Sequence, residues 1–370
     1  MNWNFKNETT KDCITGYEDV LDKLKEYTKE RYLPLNDEDR ARMVDEVFNI
    51  YRSKNIFPIY YYNEKGISKE IKKCIDKEVE FKDNVLGFKL TQGSSLIKFM
   101  FPNLHRVECK GATNNGLYDR FMDDHKLRRS IDFSLRFKKS VTPSEIRGAL
   151  EMIGGNLATQ FPTMKAKALY EKYVPKDGII YDYSCGWGNR LLGALSSKNN
   201  YTYVGVEPCT ETFTHLHELA EKIESVTGRT NSYRILQRGS EDFNLGKPYF
   251  DFAFSSPPYF SLEKYSNEDT QCYNKYPTLE EWFEGYVRPT IQGIYDMLKD
   301  GCYYGVNIND FNLGSRKVEY VDKWLEISKE IGFEFIEKIE FGLQARVGNG
   351  FKEDGVQVKR SEGIYIFKKQ

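Results

Sequence analysis

Asp251-Phe252-Ala253-Phe254-Ser255-Ser256-Pro257-Pro258-Tyr259-Phe260 opens as a short apolar strand and stops abruptly. Neither proline can donate to a ladder, so the strand ends at the polar pair before them. A rigid polar and aromatic turn at that point sets a hydroxyl, free carbonyls and a ring in one fixed place. In open α/β sheets, ligands sit just beyond the carboxyl ends of the strands. The flanking sequence supplies the rest of such a sheet. Residues 179–181, 203–206 and 233–236 are strand-like ahead of it, and 303–308 follow. Helical patterns lie between them: 162–173, 190–195, a run with Phe213, Leu216, Leu219, Ala220 and Ile223 on one face, and 279–298 with a kink at Pro289. Val318, Val321, Leu325 and Ile331 mark a last helix stopped by Gly332, and 333–341 and 364–367 close the chain as a strand pair. Alternation of strand and helix predicts a doubly wound sheet with helices on both faces.

The first part of the chain is patterned differently. Residues 15–53 predict two amphipathic helices separated by Pro34, with Val20, Leu21, Leu24 and Tyr27 on one face and Met43, Val44, Val47, Phe48 and Tyr51 on the other helix. FPIYYY (57–62) predicts a strand, and a short helix is expected around 71–75. Pro143 and Ser144 open a further helix running to Ile153. Two domains are expected, 1–155 and 156–370, because 370 residues exceed what one core usually holds.

Composition narrows the function. The hydrophobic and aromatic shares, 40% and 15%, suffice for a globular interior. Net charge is −1, so a nucleic-acid partner would have to be held by a local patch. Basic residues do outnumber acidic ones between 89 and 147, among them Lys98, Arg128, Arg129, Lys138, Lys139 and Arg147. The seven cysteines form no CxxC pair, which fits reduced thiols in a cytosolic setting and no metal site. No signal-peptide pattern opens the chain, and no apolar run approaches the roughly 20 residues of a membrane span.

Tyr181-Asp182-Tyr183-Ser184-Cys185-Gly186-Trp187-Gly188-Asn189 lies between the first strand and its helix. Glycines two apart let the backbone turn tightly and approach a ligand. The spacing is not the dinucleotide fingerprint, and no Walker lysine is present. Glu207 ends the second strand, where a carboxylate can accept both hydroxyls of a ribose. Gly239-Ser240-Glu241-Asp242 closes the third strand, where a polar side chain can meet an adenine amine.

With these motifs in this order, residues 156–370 resemble a class I S-adenosylmethionine-dependent methyltransferase. The resemblance is to the amino-methyltransferases that carry a (Asp/Asn/Ser)-Pro-Pro-(Tyr/Phe) motif, which include DNA N4-cytosine and N6-adenine enzymes. It implies a Rossmann-like α/β catalytic domain behind a mainly helical α+β N-terminal domain used for target recognition. It also implies a role for each matching residue. Asp182, Ser184, Gly186 and Gly188 would hold the methionine part of the cofactor, Glu207 its ribose, and Ser240 and Glu241 its adenine. This sequence has Ser240 where Asp is usual. Phe161-Pro162-Thr163 matches the flanking motif that completes the cofactor pocket. Ser256, Pro257, Pro258 and Tyr259 match the catalytic motif, and serine in its first position favours cytosine N4 over adenine N6. The implied substrate is DNA and the implied location the cytoplasm of a prokaryotic or phage-infected cell, with no membrane partner.

Such chemistry needs these residue types. An exocyclic amine is a poor nucleophile because its lone pair is delocalised into the ring. Acceptors aimed at its N–H bonds, Ser256 Oγ and the Pro257 carbonyl, draw the nitrogen toward tetrahedral geometry. Serine is no useful base at neutral pH, so positioning is its expected role. Tyr259 offers a flat face for stacking, and the base must be flipped out of its duplex. The polar segment 261–278, with Lys264 and Tyr265, is expected as a lid over the extruded nucleotide. Arg346 and Arg360, in the loop 345–362, are expected at phosphates. Three other readings share some of these motifs: an RNA or tRNA guanine-N2 methyltransferase, a protein glutamine methyltransferase, and a catalytically silent nucleic-acid-binding module.

Overall fold

The computed structural model describes residues 17–54, 56–79, 90–110, 116–153, 157–342, 352–353, 356–357 and 361–370. Arg346 and Arg360 lie outside the described residues. The chain divides into two compact units: Met1–Lys69 with Ser95–Thr159 and Glu263–Tyr265, and Glu70–Ser94 with Gln160–Leu262 and Ser266–Gln370. Residues 70–94 therefore fold with the second unit, although they lie far ahead of it in sequence. None of the described helices is long and apolar enough to cross a membrane.

The first unit is mainly helical. Its helices are α1 (Tyr17–Lys25), α2 (Lys29–Tyr32), α3 (Asp37–Ser53), the start of α4 (Glu64–Asp76), most of α5 (Ser94–Met100), α6 (Leu117–Met122), α7 (Asp124–Phe137) and α8 (Pro143–Ile153). Asn36 starts α3 by accepting the Asp39 N–H at 2.9 Å, as its side chain predicts for an N-cap. The apolar faces of α1 and α3 meet those of α6, α7 and α8 in one core containing Leu24, Val47, Tyr51, Phe121, Ile131 and Leu150. The expected strand at 57–62 is absent. Pro58 has no N–H to give a ladder, and side chains satisfy the backbone instead. Tyr17 Oη donates to the Ile59 carbonyl at 3.1 Å, and the Phe57 N–H donates to Tyr61 Oη at 3.1 Å. The described strand pairing of this unit is short and antiparallel, Glu108 opposite Lys264 and Cys109 opposite Glu263.

The second unit is built on β1 (Ile179–Asp182), β2 (Thr202–Val206), β3 (Tyr233–Leu236), β4 (Phe250–Ser255), β5 (Leu298–Ile308), β6 (Phe333–Gly342) and β7 (Ser361–Lys369). Their order across the sheet is β6-β7-β5-β4-β1-β2-β3, parallel except that β7 runs antiparallel to both neighbours. This is a doubly wound, Rossmann-like arrangement: the terminal strand pair folds back so that β7 slots in between β6 and β5. Strands β2 and β4 are rich in buried Val, Tyr and Phe, as strands covered on both faces require. The helices α9 (Thr163–Tyr173), α10 (Asn189–Leu195), α11 (Thr210–Thr227), α12 (Cys272–Lys275), α13 (Leu279–Trp282), α14 (Arg288–Met297) and α15 (Tyr320–Ile331) complete it.

Two elements depart locally from the expected ones. The expected helix over 279–298 is divided, with a π-turn at Phe283–Val287 directly before Pro289. Proline cannot donate to the carbonyl four residues back, and the wider turn absorbs that missing bond. Val318 lies not in α15 but in a small hairpin, Phe311–Leu313 against Arg316–Val318.

Residues 70–94 are held in the second unit by Lys167 of α9. Its buried ammonium donates to the carbonyls of Cys74, Ile75 and Lys77 at 2.9, 3.0 and 2.8 Å. Helices α9 and α10 approach closely at Gly193, where an added Cβ would lie 2.7 Å from the Thr163 carbonyl oxygen. Gly193→Ala is therefore expected to destabilise the second unit by about 1–3 kcal/mol, since backbone atoms cannot swing aside. Thermal denaturation of the variant checks this; an unchanged transition would mean that the two helices can separate freely.

Candidate active site at the carboxyl edge of the sheet

The expected residues of the second unit lie at the ends of β1, β2, β3 and β4 and in the loops that follow, except Phe161 and Thr163, which stand at the start of α9. Asp182 ends β1 and is fully buried. Its carboxylate accepts Arg190 Nε at 2.7 Å and Nη2 at 3.2 Å, Tyr203 Oη at 2.6 Å, Ser255 Oγ at 2.8 Å and its own loop's Ser184 N–H at 3.2 Å. With its oxygens engaged this way, Asp182 shapes the loop rather than pointing out of it. Arg190 also reaches the Ser184 carbonyl, and Ser184 Oγ lies 3.1 Å from Tyr286 Oη.

The loop itself turns on Gly186 and Gly188, with φ of +54° and +73°, a region that favours glycine. An added Cβ at Gly186 would meet only the Ser184 carbonyl oxygen, at 3.9 Å, so the space above it is open. Cys185 fills the inside of the turn: a Cβ on Gly205 of β2 would come within 2.2 Å of its sulfur. The Cys185 N–H donates to the Val206 carbonyl at 3.0 Å, tying the loop to the end of β2.

Glu207, the next residue, accepts the Gly186 N–H at 3.0 Å and the Cys209 N–H at 3.0 Å. Burial pushes its carboxyl up to about 7, against the lowering effect of those two N–H groups. Ser240 is buried with its hydroxyl 2.7 Å from Thr290 Oγ1. Glu241 pairs with Lys275 at 2.6 Å, while its other oxygen, Oε2, is buried with no hydrogen-bond partner. Phe161 packs edge-on against Phe254 of β4, with ring centroids 5.1 Å apart. Thr163 Oγ1 accepts Asn189 Nδ2 at 3.3 Å.

Ser255, Ser256, Pro257, Pro258 and Tyr259 leave the end of β4. Ser255 Oγ donates to Asp182 and sits 3.1 Å from the Ser184 carbonyl, so this motif and the glycine loop share one buried junction. Ser256 Oγ donates to the Asn307 carbonyl of β5 at 3.3 Å, which spends its only proton and leaves its lone pairs as acceptors. The Tyr259 ring is braced edge-to-face by Phe311 at 5.8 Å and Tyr320 at 5.7 Å. Phe260 then takes φ of +49°, a strained value for a bulky residue, while its ring packs on Trp282.

Segment 261–278 divides. Glu263–Tyr265 belongs to the first unit, where Lys264 is exposed and Tyr265 Oη donates to Glu263. The part from Ser266 onward is tied to the loops after β2 and β3. Glu268 accepts the Thr210 N–H at 3.1 Å, Thr270 donates to the Pro208 carbonyl at 3.2 Å, and Lys275 bridges Glu241 and Asp242 at 2.6 Å each. In the first unit, Arg128 pairs with Asp45 and lies over the Phe48 ring at 3.7 Å; Arg129 and Lys139 are exposed and Lys138 half-buried.

Sequence reasoning missed Arg190, Tyr203, Ser255 and Tyr286. Each lies inside a helix or strand or beside a stronger motif, so no local pattern marks it; only the register of adjacent strands brings Tyr203 and Ser255 to Asp182.

Neither a protein-family model nor a curated protein matches the chain. Among solved structures, it is similar to a TehB-like SAM-dependent methyltransferase from Corynebacterium glutamicum, at 13% identity over 58% of this chain and 90% of that one, with a TM-score of 0.36. A SAM-dependent methyltransferase from Methanosarcina mazei matches at 15% identity over 57% of this chain and 99% of that one, with a TM-score of 0.36. TrmN from Thermus thermophilus matches at 14% identity over 55% of this chain and 48% of that one, with a TM-score of 0.35. Likenesses of this strength bear on neither activity nor substrate.

Proposed function

We propose that the second unit transfers a methyl group from S-adenosylmethionine to an exocyclic amine of a DNA base, cytosine N4 ahead of adenine N6. The observation that carries this reading is the junction at Asp182. Through Ser255 it ties the strand end that leads into Ser256 and Tyr259 to Ser184, which leads into the loop of Gly186. The residues present fit the cofactor. Glu207 offers carboxylate oxygens for a ribose, the space over Gly186 admits a close approach, and Glu241 Oε2 is a buried acceptor lacking a donor.

S-adenosylmethionine, when bound, supplies an electrophilic methyl group on a sulfonium centre. The protein's task is to present the amine. Ser256 Oγ, its proton committed to Asn307, accepts one N–H, and the Pro257 carbonyl accepts the other. Both acceptors draw the nitrogen lone pair out of conjugation. The braced Tyr259 ring stacks on the base, worth roughly 1–3 kcal/mol. Extrusion of the base from its duplex gives it access. The amine proton leaves after transfer, when the nitrogen carries positive charge, so no strong base is needed beside it.

Ser256→Ala removes one acceptor and is expected to lower kcat roughly 10²-fold while leaving cofactor affinity unchanged. Single-turnover rates and calorimetry separate the two; a loss of cofactor binding instead would assign Ser256 to the cofactor pocket. Transfer of tritiated methyl from labelled cofactor to DNA and to tRNA tests the substrate class. Label in DNA is expected. Label in tRNA alone would replace this reading with the guanine-N2 one, and label in protein alone with the glutamine one.

A further inference from the structure

The sequence predicts a lid over an extruded nucleotide at 261–278, but from Ser266 onward this chain is tied to the loops after β2 and β3. At the β2 end, the Thr210 N–H donates to Glu268 at 3.1 Å, and Thr270 Oγ1 donates to the Pro208 carbonyl at 3.2 Å. Both anchors directly follow Glu207. At the β3 end, the Lys275 ammonium reaches Glu241 and Asp242 at 2.6 Å each. The two loops adjoin, because the Glu207 N–H donates to the Leu236 carbonyl at 3.0 Å. Thr210, Glu268, Thr270 and Lys275 are exposed or half-exposed, whereas Gln271 and Cys272 between the anchors are buried. The segment is thus an outer wall, pinned by surface side chains to the two loops whose acids suit a ribose and an adenine.

Two polar groups on this wall and beneath it are orphaned. Gln271 is only 4% exposed, and its amide Nε2 has no hydrogen-bond partner among the described residues. Its neighbours fix where it lies. Thr270, just before it, is on the Pro208 carbonyl, and the Gln271 carbonyl accepts the Lys275 N–H at 3.0 Å, one helical turn from the ammonium at Glu241. Glu241 supplies the opposite orphan. Its carboxylate folds back over Gly239 at the end of β3, where an added Cβ would lie 2.2 Å from Oε2. Lys275 takes Oε1, while Oε2 is buried and takes nothing. Burial favours the protonated carboxyl, and the Lys275 ammonium opposes it. A buried donor and a buried acceptor left open fit a ligand that supplies both partners.

We propose that Gln271 and Glu241 together grip the adenine of S-adenosylmethionine, the amide donating to a ring nitrogen and Oε2 accepting the 6-amine, with Lys275 as the positioning residue that holds Oε1. This rests on the cofactor reading of the same unit. Segment 266–276 then closes over the cofactor rather than over the nucleotide. Selectivity for the amine follows from the ammonium. With it, Glu241 stays an ionised acceptor and rejects a 6-carbonyl; without it, the buried carboxyl can take up a proton and donate to that carbonyl instead.

The test uses the full chain and calorimetry with S-adenosylhomocysteine and its 6-oxo analogue, S-inosylhomocysteine. The wild type is expected to prefer the amine form by roughly 10²-fold or more. Lys275→Met should shrink that preference roughly ten-fold, and Lys275→Arg should keep it. Gln271→Met should bind S-adenosylhomocysteine roughly ten-fold more weakly, yet the melting temperature of the free protein should not fall, since no bond to the amide Nε2 is lost. A lowered melting temperature with unchanged affinity would make Gln271 a packing residue and overturn its role. Tight wild-type binding with the preference unchanged in Lys275→Met and the affinity unchanged in Gln271→Met overturns the site and leaves the cofactor reading standing. A wild type that binds no S-adenosylhomocysteine defeats both.

Discussion

Arg190→Ala is expected to destabilise the second unit by roughly 3–5 kcal/mol, the range for stripping one partner from a buried ion pair. Arg190 and Asp182 face each other at 2.7 Å with side-chain exposures of 6% and 0%. Without the guanidinium, the Asp182 carboxylate would keep Tyr203, Ser255 and the Ser184 N–H but no counter-charge. The Ser184 carbonyl would lose the guanidinium as a donor as well, with only Ser255 Oγ left beside it. The effect should therefore reach beyond stability, because Ser184 carries the turn into Gly186 and Ser255 carries the chain into Ser256. Urea denaturation followed by tryptophan fluorescence reports it, since Trp187, Trp282 and Trp324 all lie in this unit. Arg190→Met with Asp182→Asn should recover most of the loss, as no buried charge is left unpaired. A single Arg190→Ala variant as stable as the wild type would mean that water reaches Asp182.

Glu207→Gln should act in opposite directions on binding and on stability. The Glu207 carboxyl is pushed by burial from 4.5 up to about 7, so folding favours its protonated form. An acid whose folded pKa is raised contributes stability that is complete below about 4.5 and is lost as pH rises through about 7. The two pKa values in that window correspond to roughly 3 kcal/mol. Glu207→Gln removes this dependence and should be the more stable protein at pH 8, with little difference near pH 4.5. Cofactor affinity should move the other way. Two ribose hydroxyls need an ionised acceptor, and hydrogen bonds to a charged group contribute about 1.5–3 kcal/mol. Wild-type affinity for S-adenosylmethionine should therefore rise between pH 6 and 8, and Glu207→Gln should bind on the order of 10²-fold more weakly with a flat profile. Calorimetry across that range measures it; a pH-independent wild type would place the ribose elsewhere.

The sheet was legible because its strands are apolar and bounded by strong stops. Residues 233–236 match β3 end to end, and Pro257-Pro258 end β4 where a ladder donor fails. The loops that follow were legible too, since Gly186, Gly188, Glu207 and Ser256 each stand at a strand's carboxyl end. What binds these loops together was not. Tyr203 carries the pattern of any buried strand aromatic, yet its hydroxyl reaches Asp182 only because β1 and β2 pair in one register. FPIYYY has strand composition and no strand beside it, so tertiary packing overrode propensity. Nothing local shows that residues 70–94 join the second unit; that depends on a lysine ninety-odd residues later reaching three carbonyls.

The central claim is that Ser256 and Tyr259 present a base amine beside the cofactor loop. Its most direct test is to incubate DNA with the protein and S-adenosylmethionine, digest to nucleosides and identify the product by mass, with Ser256→Ala in parallel. N4-methylcytosine or N6-methyladenine from the wild type, sharply reduced in Ser256→Ala, is the predicted result. A methyl group on a ring carbon, or equal yields from both proteins, would contradict it.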